Sequence, residues 1–449
     1  MNGAATFRFE CPMERKQTTR CDRLILFGRY PVPGHTKTRL IPALGPTRAA
    51  DLQRYLTEKT LKTARASACR EGMEVEACFE GGSEIQLRRW LGSAIFLSRQ
   101  GSGDLGERME AALHNAFLGG CRKAILLGTD IPGVSARALQ EAFRRLDTAD
   151  LVLGPSTDGG YWLIGLKKPG PADVFRDMAW GRRDVLEKTI ARAKEHGMSV
   201  HLLDPLTDID TVEELKGWRP EWTGSGPYIS VVIPALNEAS NVVPSITSAR
   251  DPEAEIIVVD GGSTDETVEK ASRAGVRIVR TSPGRAVQQN RGAAVARGEV
   301  LLFLHADTRL PKGYVAHVFD ALLDPRTTLG AFLFRTDLAK PPMKWVEFLA
   351  NLRSRYLKLP YGDQALFVRR SAFDHAGGFP SVPIAEDLFL VKEMRKRGNV
   401  YIVPAPAVTS GRRWEKSGVV RATLMNQVIL AGLALNVSPH TLTRLYRQG

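Results

Sequence analysis

Carboxylates and one histidine stand where apolar runs of the sequence break off. "LLFLHADTRLP" (301–311) passes from a buried-strand pattern into His305, Ala306 and Asp307. "AILLGTD" ends on Asp130, and "EIIVVDGGSTDET" breaks at Asp260 into glycines and an acidic helix start. Oxygen ligands of this kind suit a hard ion such as Mg²⁺ or Mn²⁺. Such an ion neutralises charge that develops on a phosphate leaving group. A strand end is also polar wherever it simply meets solvent, so no single one of these turns is decisive.

The second half adds three more features of the same type. "VVIPALNEASNV" turns through Pro234 into Asn237 and Glu238, and "PIAEDLFLVKEMRKRG" opens a helix with Glu386 and Asp387. Carboxylates are favoured at a helix start for capping alone. "SPGRAVQQNRGAAVARGE" supplies Arg285. In the first half, "GRYPVPGHTKTRL" sets Lys37 and Arg39 close after a glycine. Glycine lets backbone approach a phosphate, and the cations neutralise it. Asp208 and Asp210 alternate in "LLDPLTDIDTVEEL". Together with Asp130, from a distant strand, they form a candidate shared metal site. "DGGYWLIG" carries large aromatics straight from a turn into an apolar strand.

These residues need elements to hold them. Apolar runs of strand length alternate with helical patterns such as "PTRAADLQRYLTEKTLKTARAS". That alternation implies α/β architecture, with mostly parallel sheets flanked by helices. Ligands of such sheets bind beyond the carboxyl ends of the strands, where Asp130 and Asp307 would both lie. "KGWRPEWTGSGPYIS" is rich in Gly, Pro and Ser and places a linker at 217–227. The expected organisation is a leader 1–21, a domain 22–216 and a domain 228–449. Each domain starts with an apolar strand running into a Pro-containing loop.

The bulk numbers narrow the function classes. The 449 residues carry a formal net charge of +13, which suits anionic partners. The lysines and arginines form no block and no aromatic-basic repeat, which argues against nucleic acid. The five cysteines form no C-x-x-C pair. That argues against a disulfide framework or a zinc site and fits a reducing cytosol. The first residues lack the apolar core of a signal peptide. "ATLMNQVILAGLALNV" (422–437) is shorter than the roughly twenty apolar residues of a membrane span and holds Asn426 and Gln427. A packed or interfacial helix is expected there, with weak docking at a membrane surface as an alternative to a purely cytoplasmic location.

The motifs of the second half, together with "YGDQALFVRRSAFDHAGGFP" and "GRRWEKSG", resemble the family 2 glycosyltransferases. More narrowly, they are similar to the second of two bacterial transferases associated with radical-SAM and selenium proteins, also labelled as arsenosugar-biosynthesis glycosyltransferases. The first half resembles the first transferase of that pair, a family similar to phospholactate guanylyltransferase. The resemblance implies two GT-A-like, Rossmann-like nucleotide-diphospho-sugar transferase domains in tandem. It implies a nucleotide-sugar donor, a divalent Mg²⁺ or Mn²⁺, and a small-molecule or lipid-linked acceptor. In the second half Asp307 would hold the metal, although His305 replaces the first acid of the usual D-x-D. Glu238, Asp260 and Arg285 would hold the nucleotide, with Pro234 and Asn237 in the same loop. Asp387 would act as base beside Glu386. Gly362, Asp363, Gln364, Arg413 and Trp414 would face acceptor or phosphate. The first half would transfer glycosyl or nucleotidyl groups, in the latter case supplying an activated donor to the second half; alternatively, one half would serve only as a non-catalytic nucleotide-binding or scaffold module.

Overall fold

A computed structural model describes residues 21–219, 222, 226–435 and 437–448. The expected leader lies outside these residues except for Cys21, as do residues 220, 221 and 223–225 of the expected linker. The chain divides into two compact units, 1–224 and 225–449.

The first unit holds seven strands: β1 (Asp22–Arg29), β2 (Glu74–Glu80), β3 (Phe96–Arg99), β4 (Lys123–Gly128), β5 (Leu151–Pro155), β6 (Tyr161–Leu166) and β7 (Val200–Leu202). Their order is β3-β2-β1-β4-β6-β5-β7. The second unit holds β8 (Ile229–Ala235), β9 (Ala254–Asp260), β10 (Arg277–Arg280), β11 (Val300–Phe303), β12 (Thr308–Arg309), β13 (Thr327–Thr336), β14 (Leu366–Arg369) and β15 (Asn399–Thr409). Their order is β10-β9-β8-β11-β14-β13-β15-β12. With the two-residue β12 set aside, the two sheets follow one plan. Each sets its first four strands parallel in the order third, second, first, fourth. Each then inserts one antiparallel strand, β6 or β14.

Burial on both faces explains the continuous apolar runs. Every position of β8 is buried, and Leu24, Ile25 and Leu26 of β1 are closed to solvent. The antiparallel β6 follows from chain length. Only Ser156–Gly160 separate it from β5, closed by a Ser156 N–H donating to Gly160 O at 3.0 Å. A parallel return needs a dozen or more residues.

The helix Arg285–Val295 is pinned over β8 and β9. The buried Gln288 Nε2 donates to Ala235 O and Val259 O, both at 2.8 Å. Gly292 allows the close approach, since a Cβ there would lie 2.3 Å from Val232 Cγ1. This packing sets Arg285, at the start of the helix, over the carboxyl edge of the sheet. Gly292→Ala should therefore overpack the core and lower stability by about 1–3 kcal/mol, read as a lower urea midpoint. An unchanged midpoint would mean that the helix does not sit this close.

Candidate active site

The carboxyl edge of the second sheet gathers side chains from several connections. Beyond β11, Thr308 N–H donates to His305 O at 3.0 Å and Ser410 N–H donates to Asp307 O at 2.9 Å. Ser245 Oγ donates to Ala306 O at 2.7 Å. The turn is thus tied to the helix Val242–Ser248 and to the end of β15. Asp307 and Glu238 share one cation: Arg412 pairs with Glu238 Oε1 and stands 3.5 Å from Asp307 Oδ2. Burial and the charge of Glu238 raise the Asp307 carboxyl above its ordinary range, and Arg412 opposes them.

Gly362 meets the same group from the loop before β14. Its N–H donates to Asp387 Oδ2 at 2.6 Å. A Cβ at this position would lie 2.7 Å from His305 Nε2 and 3.1 Å from Asp387 Oδ2, so only glycine fits. His305 Nε2 and Asp363 Oδ1 are buried and have no hydrogen-bond partner among the described residues. Burial, then Arg285, push the His305 imidazolium down to about 3. The ring is neutral at pH 7 and keeps one acceptor nitrogen. Burial pushes the Asp363 carboxyl up to about 6; Arg353 opposes this, and Asp387 and Asp307 reinforce it. Glu386 is also raised, by burial and then by Asp387, with Arg285 3.5 Å away in opposition. Buried polar atoms without partners cost about 1–3 kcal/mol each. Crowded carboxylates beside such atoms fit a hard divalent cation and a phosphate.

In the first unit, Lys37 sits in the left-handed region at φ 50°. Its buried Nζ donates to Ile209 O at 2.7 Å and Asp210 Oδ1 at 2.8 Å, and stands 3.1 Å from Asp130 Oδ2. Burial alone would lower its pKa; Asp130 and Asp210 outweigh burial and raise it. Gln53 Nε2 donates to Asp130 Oδ1 at 2.7 Å. A cleft of about 340 Å³ opens here, lined by Gly28, Lys37, Arg39, Gln100, Arg108 and Asp130 among others.

Residues 230–377 match the family model of glycosyl transferase family 2. Over these residues the second half is similar to the family 2 glycosyltransferases. Residues 62–182 match a family described as an uncharacterized protein conserved in bacteria (DUF2064). An uncharacterized protein of Mycobacterium tuberculosis (strain CDC 1551 / Oshkosh) is 30% identical over 141 residues, covering 30% of this chain and 44% of that protein. Glucosyl-3-phosphoglycerate synthase of Mycolicibacterium paratuberculosis (strain ATCC BAA-968 / K-10) is 35% identical over 113 residues, covering 20% of this chain and 34% of the synthase. The chain spans less than half the length of these curated relatives. A provisionally named nucleotide-diphospho-sugar transferase from Desulfovibrio desulfuricans G20 is 32% identical, with a TM-score of 0.42, covering 45% of this chain and 89% of that one.

The second unit brings Glu238, Arg285, His305, Asp307, Gly362, Asp363 and Asp387 to one sheet edge, and turns several other candidates elsewhere. The Glu386 side chain is 3% exposed and faces Arg285 at 3.5 Å. Gln364 does not reach an acceptor. It is fully buried, donates to Phe332 O and accepts from Ser354 Oγ. Trp414 is core, packed with Phe334 and Met343. Pro234 is buried inside β8. Asp260 accepts the N–H groups of Gly262 and Ser263, and Asn237 Oδ1 that of Thr264, so both first of all shape their loops. Arg412, one residue before the expected Arg413, pairs with Glu238 and stands beside Asp307.

The first unit departs further from expectation. Asp130, Asp208 and Asp210 do not assemble a three-carboxylate metal site. Lys37 fills the space between Asp130 and Asp210, and Asp208 accepts from Ser156 Oγ at 3.1 Å. Lys37 is therefore an internal counter-ion rather than a free phosphate ligand, while the exposed Arg39 stays at the cleft. The Asp208 carboxyl is raised by burial and then by Asp158 and Asp210. Among the described residues, one His/Cys/Asp/Glu set has its ligand atoms within 4.8 Å of one another: Cys21, Glu74 and Cys121. It lies at the amino ends of β1, β2 and β4, the opposite edge from the cleft.

Lys37→Met should leave two carboxylates facing each other without a cation. A fully buried pair loses roughly 3–5 kcal/mol when broken. Asp130 and Asp210 are each 39% exposed, so solvent screens part of this and about 1–3 kcal/mol is expected. Thermal unfolding of wild type and variant checks the figure; equal midpoints would make the pair a surface ornament.

Proposed function

We propose that the chain is a bifunctional nucleotide-sugar-dependent transferase whose second half is an inverting, metal-dependent glycosyltransferase. The observation that carries this reading is the convergence of Glu238, Asp307, Asp363 and Asp387 around a neutral His305. Asp307 would hold a divalent cation, with His305 turned to the nucleotide. When bound, that ion would neutralise the diphosphate as it departs. Arg285 adds positive charge at the same edge, held in place by Glu386. Glu238 orients Arg412.

Asp387 is the base in this reading. An acceptor hydroxyl attacks the anomeric carbon, its proton passes to a carboxylate oxygen of Asp387, and the bond from that carbon to the diphosphate oxygen breaks with its electron pair on the leaving group. Attack opposite the leaving group inverts the carbon. Asp387 accepts N–H groups from Gly362 and Leu388. A carboxylate has about four lone-pair sites, so accepting capacity remains. The narrower kinship to transferases of arsenosugar assembly rests on the sequence motifs alone.

For the first half, the cleft beside Arg39 and Arg108 suits a nucleotide, with glycosyl or nucleotidyl transfer as its chemistry. A second reading has its own support. Lys37 already neutralises Asp130 and Asp210, which fits a nucleotide-binding module that does no chemistry.

Turnover and donor affinity of the full chain, measured on a panel of nucleotide sugars with Mn²⁺, test the proposal. Asp387→Asn keeps size and capping ability, so donor affinity should hold while turnover falls by roughly 10²–10⁴-fold. Asp307→Asn should lose metal-dependent donor binding as well. Normal turnover in the first variant removes Asp387 as base, and normal metal dependence in the second removes Asp307 as ligand.

A further inference from the structure

The helix Pro341–Leu352 and the π-helical turn Arg353–Leu357 that continues it turn an apolar face to solvent. Trp345, Phe348, Leu349, Leu352, Tyr356 and Leu357 are 69, 56, 54, 41, 76 and 58% exposed. At helical spacing, the first four share an arc of about 100°. The face is not a frayed edge, because the other side of the helix is firmly docked. Met343 packs with Phe334 and Trp414. Asn351 Oδ1 accepts from Phe334 N–H and Glu347 Oε1 from Thr336 N–H, both at 2.8 Å.

Charge along the stretch has one sign. Lys340, Lys344, Arg355 and Lys358 are exposed, and the one acid from 340 to 358, Glu347, is occupied by Thr336. Large aromatics on an apolar stripe flanked by cations suit the interface of an anionic bilayer. A second copy of the chain fits less well, since a two-fold contact would bring these cations close to their own copies.

The stretch also leads straight into the site. Arg353 Nε donates to Leu359 O at 3.0 Å, and its guanidinium lies 3.4 Å over the Tyr361 ring. Gly362 and Asp363 follow. The expected interfacial segment, 422–437, is a less suitable candidate: it contains no cation, and part of it packs on the core through Ala422 and Ile429. Among the described residues, no helix is long and apolar enough to cross a membrane.

We propose that the Trp345–Leu357 face docks on an anionic lipid surface, and that the family 2 domain takes a membrane-anchored acceptor from it. The acceptor rests on the glycosyltransferase reading; the docking does not. The test is sedimentation of the full chain with vesicles of phosphatidylcholine alone or mixed with phosphatidylglycerol. Binding should be about tenfold or more tighter on the mixed vesicles and should weaken with added salt. Trp345→Glu/Phe348→Glu should abolish it. Lys344→Glu/Lys358→Glu, which leaves the apolar face intact, should remove the lipid preference and serves if the first pair disturbs the fold. Asp307→Asn should bind vesicles like wild type, so a failed catalytic reading would leave the docking result standing. Equal partitioning on both vesicles, or binding untouched by either pair, overturns the proposal. So does a concentration-dependent dimer that Trp345→Glu/Phe348→Glu dissolves, which would give the face to a second copy.

Discussion

Crowded negative charge at one end of a sheet is the constraint on which the second half depends. Glu238, Asp307, Asp363, Glu386 and Asp387 meet there, and burial first, then repulsion between the carboxylates, raises Asp307, Asp363 and Glu386. A fold tolerates such a group only if other elements hold it together. Arg412, Arg285 and Arg353 offset part of the charge. Backbone N–H groups at Gly362 and Leu388 hold Asp387. The charge left over is what a divalent cation and a phosphate-bearing donor would complete.

The first half shows the alternative solution on the same strand plan. Asp130 follows β4 much as Asp307 follows β11, but a lysine from the chain itself stands between the acids. In the second half Arg412 stands at the rim between Glu238 and Asp307, whereas in the first the buried Lys37 stands between Asp130 and Asp210. Similar sheets with different electrostatics at the ligand edge are a physical reason to give the two halves different roles, since fold alone does not assign function.

Much of this was legible in the sequence. Apolar runs located β1, β4, β8, β9 and β11, because strands buried on both faces admit little else. The acids at the ends of those runs marked the ligand edge for the same reason. The misplaced residues share a cause: sequence order shows which residues lie in a loop, not which way each side chain turns. Arg412, next to the expected Arg413 in one short helix, reaches Glu238. Gln364 follows Asp363 but points into the core. Asp208 and Asp210 alternate, which sends them to Ser156 and Lys37 respectively. Gln53 was missed, although a glutamine buried beside Leu52 and Leu56 in a helix was a signal of a polar partner inside.

The apolar stretch before Gly362 links the candidate site to its surroundings, since the segment that leads into the Gly362 turn is also the one that faces outward. The central claim concerns the charge inside. The anomalous difference map of a crystal of the full chain grown with Mn²⁺ and a nucleoside diphosphate tests it most directly. The account predicts a peak at roughly 2.0–2.6 Å from an Asp307 carboxylate oxygen, with the diphosphate on the side of Arg285. A peak away from Asp307, or a diphosphate bound in the second half with no metal beside it, would contradict the account.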